Sequence, residues 1–285
     1  DIKDAFIMEQ ILSNHQPDVI YHAAAYKHVP IMETNAYQAV LTNVLGTKIL
    51  ADLAIKYQVA SFVMVSTDKA VNPSNVMGAS KRIAELYVQS LFMQSQSKTS
   101  RATKFITTRF GNVLGSNGSV VPLFTKQIQE GGPITITHPD IIRYFMTIPE
   151  ACQLVLEAGS MGNGGEIYIF DMGEPVRIID LAYKMIRLAG FIPEEEIQIE
   201  VVGLRPGEKL YEELLNDAEK TLPTHHEKIM IAQEVSVANF DDFLYQLQLL
   251  VQSAKEMKSE ETVLLMKKIV PEFKSKNSEF ERLDY

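Results

Sequence analysis

The residues whose side chains are best suited to catalysis lie in one short stretch, Ser66 to Lys81. Asp68 and Lys69 place a carboxyl group beside an ammonium group, directly after an apolar, strand-like run. Met77 and Lys81 follow four residues apart, a spacing that puts both on one face of a helix. An acid, a base and a cation-bearing helix beside a strand end are typical of an active-site floor. The alternative is a solvated Asp–Lys pair that caps a loop.

The elements around this stretch predict an α/β fold, because strand-like runs alternate with helix-length amphipathic stretches through the first two-thirds of the chain. We expect a Rossmann-like, doubly wound parallel sheet with both faces covered, since the strands are nearly continuous apolar runs. The predicted strands are 19–25, 61–66 and 104–109, with helices at about 35–57 and 77–95. Ligands of such sheets bind beyond the carboxyl ends of the strands, so one crevice should adjoin Ala25, Ser66 and Arg109.

A change of rhythm after Gly115 indicates a second, smaller lobe, because glycine and proline crowd the next two dozen residues. Later predicted elements are a helix from about Pro149, a strand at 166–172, a helix at 178–189 and a strand near 197–202. We predict three regions: a partial dinucleotide-binding domain (1–115 and 140–173), a substrate lobe (116–139 and 174–239) and a carboxyl-terminal helical segment (240–285).

Composition narrows the function classes. The 285 residues carry 27 Lys and Arg against 36 Asp and Glu, a net charge of −9, which argues against a nucleic-acid-binding face. No uninterrupted apolar stretch approaches the roughly 20 residues of a membrane span, so we expect no membrane contact from this segment. A single cysteine cannot form an intramolecular disulfide and fits a reducing compartment, by default the cytoplasm.

The histidines and the cysteine do not predict a metal site. His22 and His28 lie six residues apart without matching carboxylates, and His225 and His226 are remote, so each is expected to be a satisfied core or loop histidine. Cys152 falls in a predicted apolar helix and is expected to be a core thiol.

Five motifs in order resemble the extended short-chain dehydrogenase/reductase family, and within it the nucleotide-sugar 4,6-dehydratases of capsule and glycan biosynthesis that act on UDP-N-acetylglucosamine. They are HAAAYKHVPIME (22–33), NVLGT (43–47), STDKAVNPSNVMGASKR (66–82), RFGNVLGSNGSVVP (109–122) and LRPGEKLYEELL (204–215). The usual Tyr-x-x-x-Lys pair of the family is replaced by Met77 and Lys81, as in the membrane-anchored subgroup of these dehydratases.

The resemblance implies an internal redox elimination. Bound NAD, with NADP the less expected cofactor, would take a hydride from C4 of the sugar, water would leave across C5 and C6, and the hydride would return at C6. Asp68 is implied as the acid for the C6 hydroxyl and Lys69 as the base at C5. Met77 has no ionisable proton and cannot be a general base, so we hypothesise that Asp68 also receives the C4 hydroxyl proton.

These roles set conditions on protonation. The pKa of Lys69 must fall from about 10.4 to roughly 7 or 8 for it to act as a base near neutral pH, and burial and the Lys81 cation could lower it. Asp68 must hold a proton at the elimination step, so it should not form a tight ion pair with Lys69 in the substrate complex.

The resemblance also implies the binding residues. Thr67 is expected to hydrogen-bond the sugar near C4, and Lys81 to bind the nicotinamide ribose. The remaining cofactor-side residues are Asp1 and Ile2 at the adenine, Ala23, Ala24 and Ala25 against the cofactor, Ser66 at the strand end, and the structural Asn43. The substrate-side residues are Arg143 and Arg205 at the diphosphate, Asn112, Glu208 at the uridine ribose, and Lys27 and Glu33 at the sugar.

Family members place a Gly-rich, pyrophosphate-binding loop before the position of Asp1. We therefore expect this chain to begin inside a longer protein, to bind NAD poorly by itself, and to be the cytoplasmic part of a possible membrane-anchored homo-oligomer. Two alternatives stay open. One is a nucleotide-sugar 4-epimerase, and the other is a non-catalytic nucleotide-sugar-binding or assembly module.

Overall fold

The fold is described from a computed structural model that covers residues 1–96, 102–213, 220–233, 237 and 239–284. Leu214 and Leu215, which end the fifth motif, lie outside these residues. The strands are β1 Val19–His22, β2 Ser61–Val65, β3 Lys104–Arg109, β4 Asn112–Val113, β5 Ile134–Ile136, β6 Ile142–Arg143, β7 Phe145–Met146, β8 Ile167–Phe170, β9 Val176–Arg177, β10 Ile199–Val201, β11 Lys220–Pro223 and β12 Ile229–Gln233. The helices are α1 Ala5–His15, α2 Val29–Thr34, α3 Ala36–Ala39, α4 Thr47–Lys56, α5 Val76–Gln96, α6 Val120–Gln129, α7 Ile148–Met161, α8 Ile178–Leu188, α9 Phe240–Lys255 and α10 Ser259–Ile269.

The main sheet has six strands in the order β1-β2-β3-β8-β12-β11. The first four run parallel, and β12 and β11 add an antiparallel pair at one side. The connection from β2 to β3 is α5, and the connection from β3 to β8 includes α7. The predicted α/β class with a mostly parallel sheet is confirmed.

Alternation along the central strands builds two cores, one on each face of the sheet. Phe62 and Met64 of β2 pack with the helices α3, α4 and α5, whereas Val63 between them packs with α7 on the other side. Successive side chains of a strand point to opposite faces, so a nearly continuous apolar run is what a sheet covered on both faces requires.

A third core belongs to the smaller lobe. Helices α6 and α8 pack on the two-stranded parallel sheet of β5 and β10 through a cluster that includes Phe124, Ile134 and Ile186. The predicted range 174–239 does not form one lobe, however. Its strands β11 and β12 lie in the main sheet, where β12 pairs with β8, so this boundary of the prediction is corrected.

The helical run from Ala36 to Lys56 comprises α3, the π-helical segment Val40–Gly46 and α4. Its length and hydropathy would suffice to cross a membrane, but 61% of the apolar window is buried in the protein. Helices α9 and α10 pack on this run and on α5. The run therefore acts here as a core element between the sheet and the carboxyl-terminal helices.

One residue of α7 differs from its prediction. Cys152 is exposed, because Ala151 and Leu154, not Cys152, face the core. Its prediction as a core thiol is wrong, since the buried face of α7 carries Ala151, Leu154 and Ala158 and leaves Cys152 on the exposed side.

Candidate active site

The turn after β2 brings the predicted acid and base together. Asp68–Ala70 forms a single 3-10 turn, which begins at Thr67. The backbone N–H of Asp68 donates to the carbonyl of Phe110 at 3.2 Å, which ties the turn to the segment after β3. Thr67 Oγ1 donates to Asp68 Oδ1 at 2.7 Å, and Lys69 Nζ donates to the same oxygen at 2.9 Å. The Thr67 hydroxyl and the Lys69 ammonium thus both donate to the same oxygen of Asp68.

Helix α5 is packed directly against this turn because of one glycine. A Cβ at Gly78 would overlap the carbonyl oxygen of Lys69, so only glycine permits this approach. Asn75 caps the helix, with its Oδ1 accepting from the N–H of Gly78 at 2.8 Å. The close contact places Met77 and Lys81 beside the turn, with both side chains reaching the cleft.

A cleft of about 590 Å³ lies between the main sheet and the smaller lobe, a volume typical of sites for small organic ligands. Most of the predicted site residues line it: Ala23, Ala25, Lys27, Ser66, Thr67, Lys69, Met77, Lys81, Asn112, Arg143, Arg205 and Glu208. The carboxylate of Asp68 lies just behind Thr67 and Lys69 and is buried.

The electrostatics of Lys69 differ from the prediction. Burial acts to lower the pKa of Lys69, but the charges of Asp68 and Glu212 outweigh burial and raise this pKa. Lys69 Nζ also donates to Asn112 Oδ1 at 3.3 Å. The expected fall in the pKa of Lys69 is therefore wrong for this arrangement, because the ammonium is held between two carboxylates.

The lysine whose pKa does fall is Lys81. Burial lowers the pKa of Lys81 to about 8, against the partly compensating charge of Glu85. Its Nζ donates to the carbonyl of Val65 at 2.7 Å. Nearby His22 is buried, bonded to Thr47 Oγ1 at 2.8 Å, and has its pKa lowered to about 3 by burial and then by Lys81. His22 is thus a neutral core histidine next to a buried cation.

A buried ion pair stabilises the end of β2 through a hydrogen bond to Ser66. Glu85 of α5 and Arg109 of β3 are almost fully buried, and the carboxylate accepts from the guanidinium at 2.9 Å and 2.6 Å. Ser66 donates to the same carboxylate at 2.6 Å. Because Ser66 lies just before the turn Asp68–Ala70, here called the acid–base turn, this network fixes the strand end from which Asp68 and Lys69 project.

The predicted diphosphate residues lie at the opposite wall of the cleft. Arg143 is buried and donates to the carbonyls of Ile142, Lys209 and Leu210 at 2.7 to 3.0 Å. Its Nη2 also lies 3.5 Å from Glu208. Arg205 is more than half exposed, and its guanidinium lies 3.4 Å from the same carboxylate. Glu208 therefore links two cations at one end of the cleft.

The carboxyl-terminal segment Lys274–Ser278, here called the strap, joins the two walls. Lys276 donates its N–H to the carbonyl of Ser74, and its own carbonyl accepts from Gly207 at 2.8 Å. Asn277 Nδ2 donates to the carbonyl of Glu208 at 3.0 Å. The strap thus holds the Arg205-Pro206-Gly207 turn against the loop that precedes α5.

Glu33 anchors the strap and lies away from the cleft wall. Its carboxylate accepts from the N–H of Val76 at 2.7 Å and from Ser278 Oγ at 2.5 Å. It is buried and absent from the cleft wall, and burial raises its pKa against those hydrogen bonds. Both carboxylate oxygens are used structurally, so Glu33 lies outside the cleft wall, whereas the sequence predicted that it would border the sugar side.

Four predicted cofactor residues lie away from the cleft wall. Asn43 bonds both the N–H and the carbonyl of Tyr26, and also Ser80, so it supports the wall without lining it. Ala24 does not line the cleft either. Asp1 is exposed, and Ile2 packs at Gly46. The adenine-end role of Asp1 and Ile2 stays a prediction.

Glu212 is a charged residue of the cleft wall to which the sequence assigned no role. Glu212 is nearly buried, with Oε1 at 3.7 Å from both Lys69 Nζ and Arg143 Nη2. It lies in the fifth motif, but adjacent acidic residues such as Glu213 look alike in sequence. Only the fold distinguishes the one that faces the cleft.

Comparison with known proteins decides the family. The sequence profile of the polysaccharide biosynthesis protein family matches residues 1–234. The chain belongs to this family. It is 56% identical over 229 residues to the capsular polysaccharide biosynthesis protein CapD of Staphylococcus aureus, covering 80% of this chain and 37% of CapD. The resemblance inferred from the five motifs is confirmed, and the chain spans well under half the length of this relative.

Further similarities cover two related chemistries. A UDP-glucose 4-epimerase of Rickettsia rickettsii is 38% identical over 205 residues, 72% of this chain and 58% of the epimerase. Among solved structures, Pen from Bacillus thuringiensis is 32% identical, with a TM-score of 0.73 over 87% of this chain and 80% of Pen. A dTDP-glucose 4,6-dehydratase of Streptomyces venezuelae, with NAD bound, shares the fold at 22% identity and a TM-score of 0.67, over 76% and 69% of the chains.

Proposed function

We propose that this chain carries the reaction centre of an NAD-dependent UDP-N-acetylglucosamine 4,6-dehydratase, a lyase of cytoplasmic capsular or related polysaccharide biosynthesis. The observation that supports it most is the Asp68–Lys69 pair at the end of β2: Lys69 lines a cleft of suitable volume, and the Asp68 carboxylate lies directly behind it. Elimination of water needs one group that gives a proton and one that takes a proton on the same sugar. Neighbouring residues on a tight turn can supply both.

The chain's own residues divide the work as follows. Thr67 orients the sugar through its hydroxyl at the C4 side. Asp68 takes the C4 hydroxyl proton and later gives a proton to the departing C6 hydroxyl. Lys69 removes the C5 proton, which has become acidic next to the C4 ketone, and a proton that has exchanged with solvent returns to C5 when the hydride is delivered to C6. Since Met77 has no proton to exchange, it serves as an apolar wall against the ring.

The cleft fits the nicotinamide end of NAD. Ala23 and Ala25 offer small side chains along one wall, and the Lys81 ammonium has three donors, of which the described structure uses one on Val65. Lys81 would hold the ribose hydroxyls with the others. When bound there, NAD supplies the reversible hydride acceptor that the redox steps need.

The opposite wall fits a nucleoside diphosphate. Arg143 and Arg205 are cations in an otherwise acidic protein, and guanidinium groups suit bidentate phosphate contacts. Glu208 would accept from the uridine ribose, and Asn112 would bond the sugar or phosphate. Lys27 lies at the cleft rim, with its Nζ donating to Ser116 Oγ at 3.2 Å.

A longer protein that includes the residues upstream of this chain provides the test. Incubation with NAD and UDP-N-acetylglucosamine should give a 4-keto product lighter than the substrate by one water, detected by mass spectrometry. A homo-oligomer is expected and can be measured on the same sample by light scattering.

A 4-epimerase is the second candidate, because the Rickettsia relative that covers 72% of this chain is a UDP-glucose 4-epimerase. Epimerisation would leave the product mass unchanged. Absence of any turnover by the longer protein would instead favour a non-catalytic nucleotide-sugar-binding module.

A further inference from the structure

Glu212 occupies a position between the two halves of the cleft. Its carboxylate oxygen Oε1 is 3.7 Å from Lys69 Nζ on the reaction side and 3.7 Å from Arg143 Nη2 on the diphosphate side. The side chain is only 7% exposed. One anion therefore bridges the lysine assigned to proton removal and the arginine assigned to the substrate's phosphates.

Arg143 cannot easily turn away from Glu212. Three main-chain carbonyls, from Ile142, Lys209 and Leu210, fix both of its terminal nitrogens. A phosphate that approaches this guanidinium must compete with the carboxylates already beside it, Glu212 and, at 3.5 Å, Glu208. Glu212 is the one that also contacts Lys69, since Glu208 has its second cation in Arg205.

The charge on Lys69 depends on the same carboxylate. The charged groups that face Lys69 are Asp68 from its own turn, Glu212 from the loop after β10, and Arg143 from β6, with Glu208 on the far side of Arg143. If Glu212 withdrew, the Asp68 carboxylate alone would raise the pKa of Lys69, whereas burial and the Arg143 cation would still lower it. An opposite charge at such a distance typically changes a pKa by about 1 to 3 units.

We propose that Glu212 is a positioning residue that couples diphosphate binding to the protonation of Lys69: the diphosphate takes the place of Glu212 at Arg143, the displaced carboxylate also withdraws from Lys69, and Lys69 then releases a proton to solvent. This inference rests on the proposed function, because it assigns a control step to the same lysine. It explains how a lysine held as an ammonium between two carboxylates becomes a base only when substrate is present.

The test measures proton release when UDP binds to the longer protein. Calorimetric titrations at pH 8, in buffers of different ionisation enthalpy, report the protons released per UDP bound, and the diphosphate itself is already ionised at this pH. The wild type should release a measurable fraction of a proton per UDP bound. Glu212→Gln should release less than half as much, bind UDP several-fold more tightly, and move the acidic limb of kcat/KM down by about one pH unit.

Two further variants complete the design. Glu213→Gln is the matched control, because Glu213 is the next residue and pairs with Lys209, and it should behave as the wild type. Lys69→Met should bind UDP without releasing the proton, which identifies the proton's source even if Glu212→Gln folds poorly. Unchanged proton release in Glu212→Gln, or persistent release in Lys69→Met, would overturn the inference.

The failure of the inference and the failure of the proposed function give different results. Proton release by the wild type is measured with UDP and does not require turnover. Absence of dehydration with normal proton release would reject the proposed function but keep the coupling. Dehydration with the same pH profile in Glu212→Gln and wild type would do the reverse.

Discussion

Asp68 and Lys69 meet on a single carboxylate oxygen, Oδ1, with the lysine Nζ at 2.9 Å. Thr67 donates to the same oxygen. The second oxygen, Oδ2, faces Gly111, where a Cβ would come within 3.2 Å. Oδ1 of Asp68 is thus hydrogen-bonded to Thr67 and Lys69, whereas Oδ2 lies against Gly111, where any side chain would crowd it.

Asp68→Asn should lower the rates of both the elimination and the reversible oxidation at C4, each by a factor of about 10² to 10⁴, since general acid–base catalysis typically contributes this much to a rate. The measurement is the absorbance of reduced nicotinamide in single turnovers, together with product formation. Asp140→Asn, an exposed carboxylate outside the cleft, is the control. An Asn variant that still oxidises C4 at the normal rate would show that Asp68 does not receive the C4 hydroxyl proton.

Lys81→Met should stabilise the protein at pH 7 by about 2 kcal/mol while it weakens NAD binding. Burial lowers the pKa of Lys81 from 10.5 to about 8, so the buried ammonium destabilises the wild type by about 3 kcal/mol at 1.36 kcal/mol per pKa unit. The variant avoids this destabilisation but loses the hydrogen bond to the carbonyl of Val65, which stabilises the wild type by about 1 kcal/mol. Urea unfolding measures the difference, with exposed Lys126→Met as the control.

The same variant has a definite pH dependence. Below pH 8 the lysine is protonated in both the folded and the unfolded protein, so the full cost of burial is present. Between pH 8 and 10.5 the unfolded chain binds more protons, and the stability of the wild type rises. The advantage of Lys81→Met should therefore shrink across this window, and an advantage independent of pH would contradict the assignment.

Gly78→Ala should separate α5 from the acid–base turn. The new methyl group would overlap the carbonyl oxygen of Lys69, so either the helix start or the turn must move, at a cost of about 1 to 3 kcal/mol. We expect a lower unfolding temperature and a loss of turnover larger than the loss of UDP affinity. Wild-type turnover in this variant would show that the contact does not position Asp68 and Lys69.

Ser278→Ala tests the strap. It removes the hydroxyl that donates to the buried Glu33 carboxylate, and an unsatisfied buried acceptor costs about 1 to 3 kcal/mol. Chemical unfolding should show this loss, and the UDP affinity should fall because the strap holds the Arg205-Pro206-Gly207 turn. Exposed Ser160→Ala is the control. A change no larger than that of the control would contradict the role of Glu33 as an anchor.

The sequence predicted the four parallel strands of the main sheet and the acid–base turn because their signals are local. The apolar run of β3 gave its bounds, Lys104 to Arg109, and the polar residues after β2 marked the cleft. Local signals also suffice for the spacing of Met77 and Lys81 on one helix face.

Two errors within the site concern contacts between residues distant in sequence. Glu33 is joined to Ser278, 245 residues away, and Lys69 is held by Glu212 as well as by its neighbour. No spacing rule predicts either contact. The pKa of Lys69 was predicted in the wrong direction because burial was foreseen and the second carboxylate was not.

Solvent hydrogen exchange at C5 tests the central claim most directly. The longer protein, NAD and UDP-N-acetylglucosamine are incubated in deuterated water, and the sugar is analysed by NMR. The wild type should place one deuterium at C5 as water is lost, whereas Lys69→Gln should keep reversible C4 oxidation and lose the exchange. Exchange and elimination at wild-type rates in Lys69→Gln would contradict the assignment of Lys69 as the base.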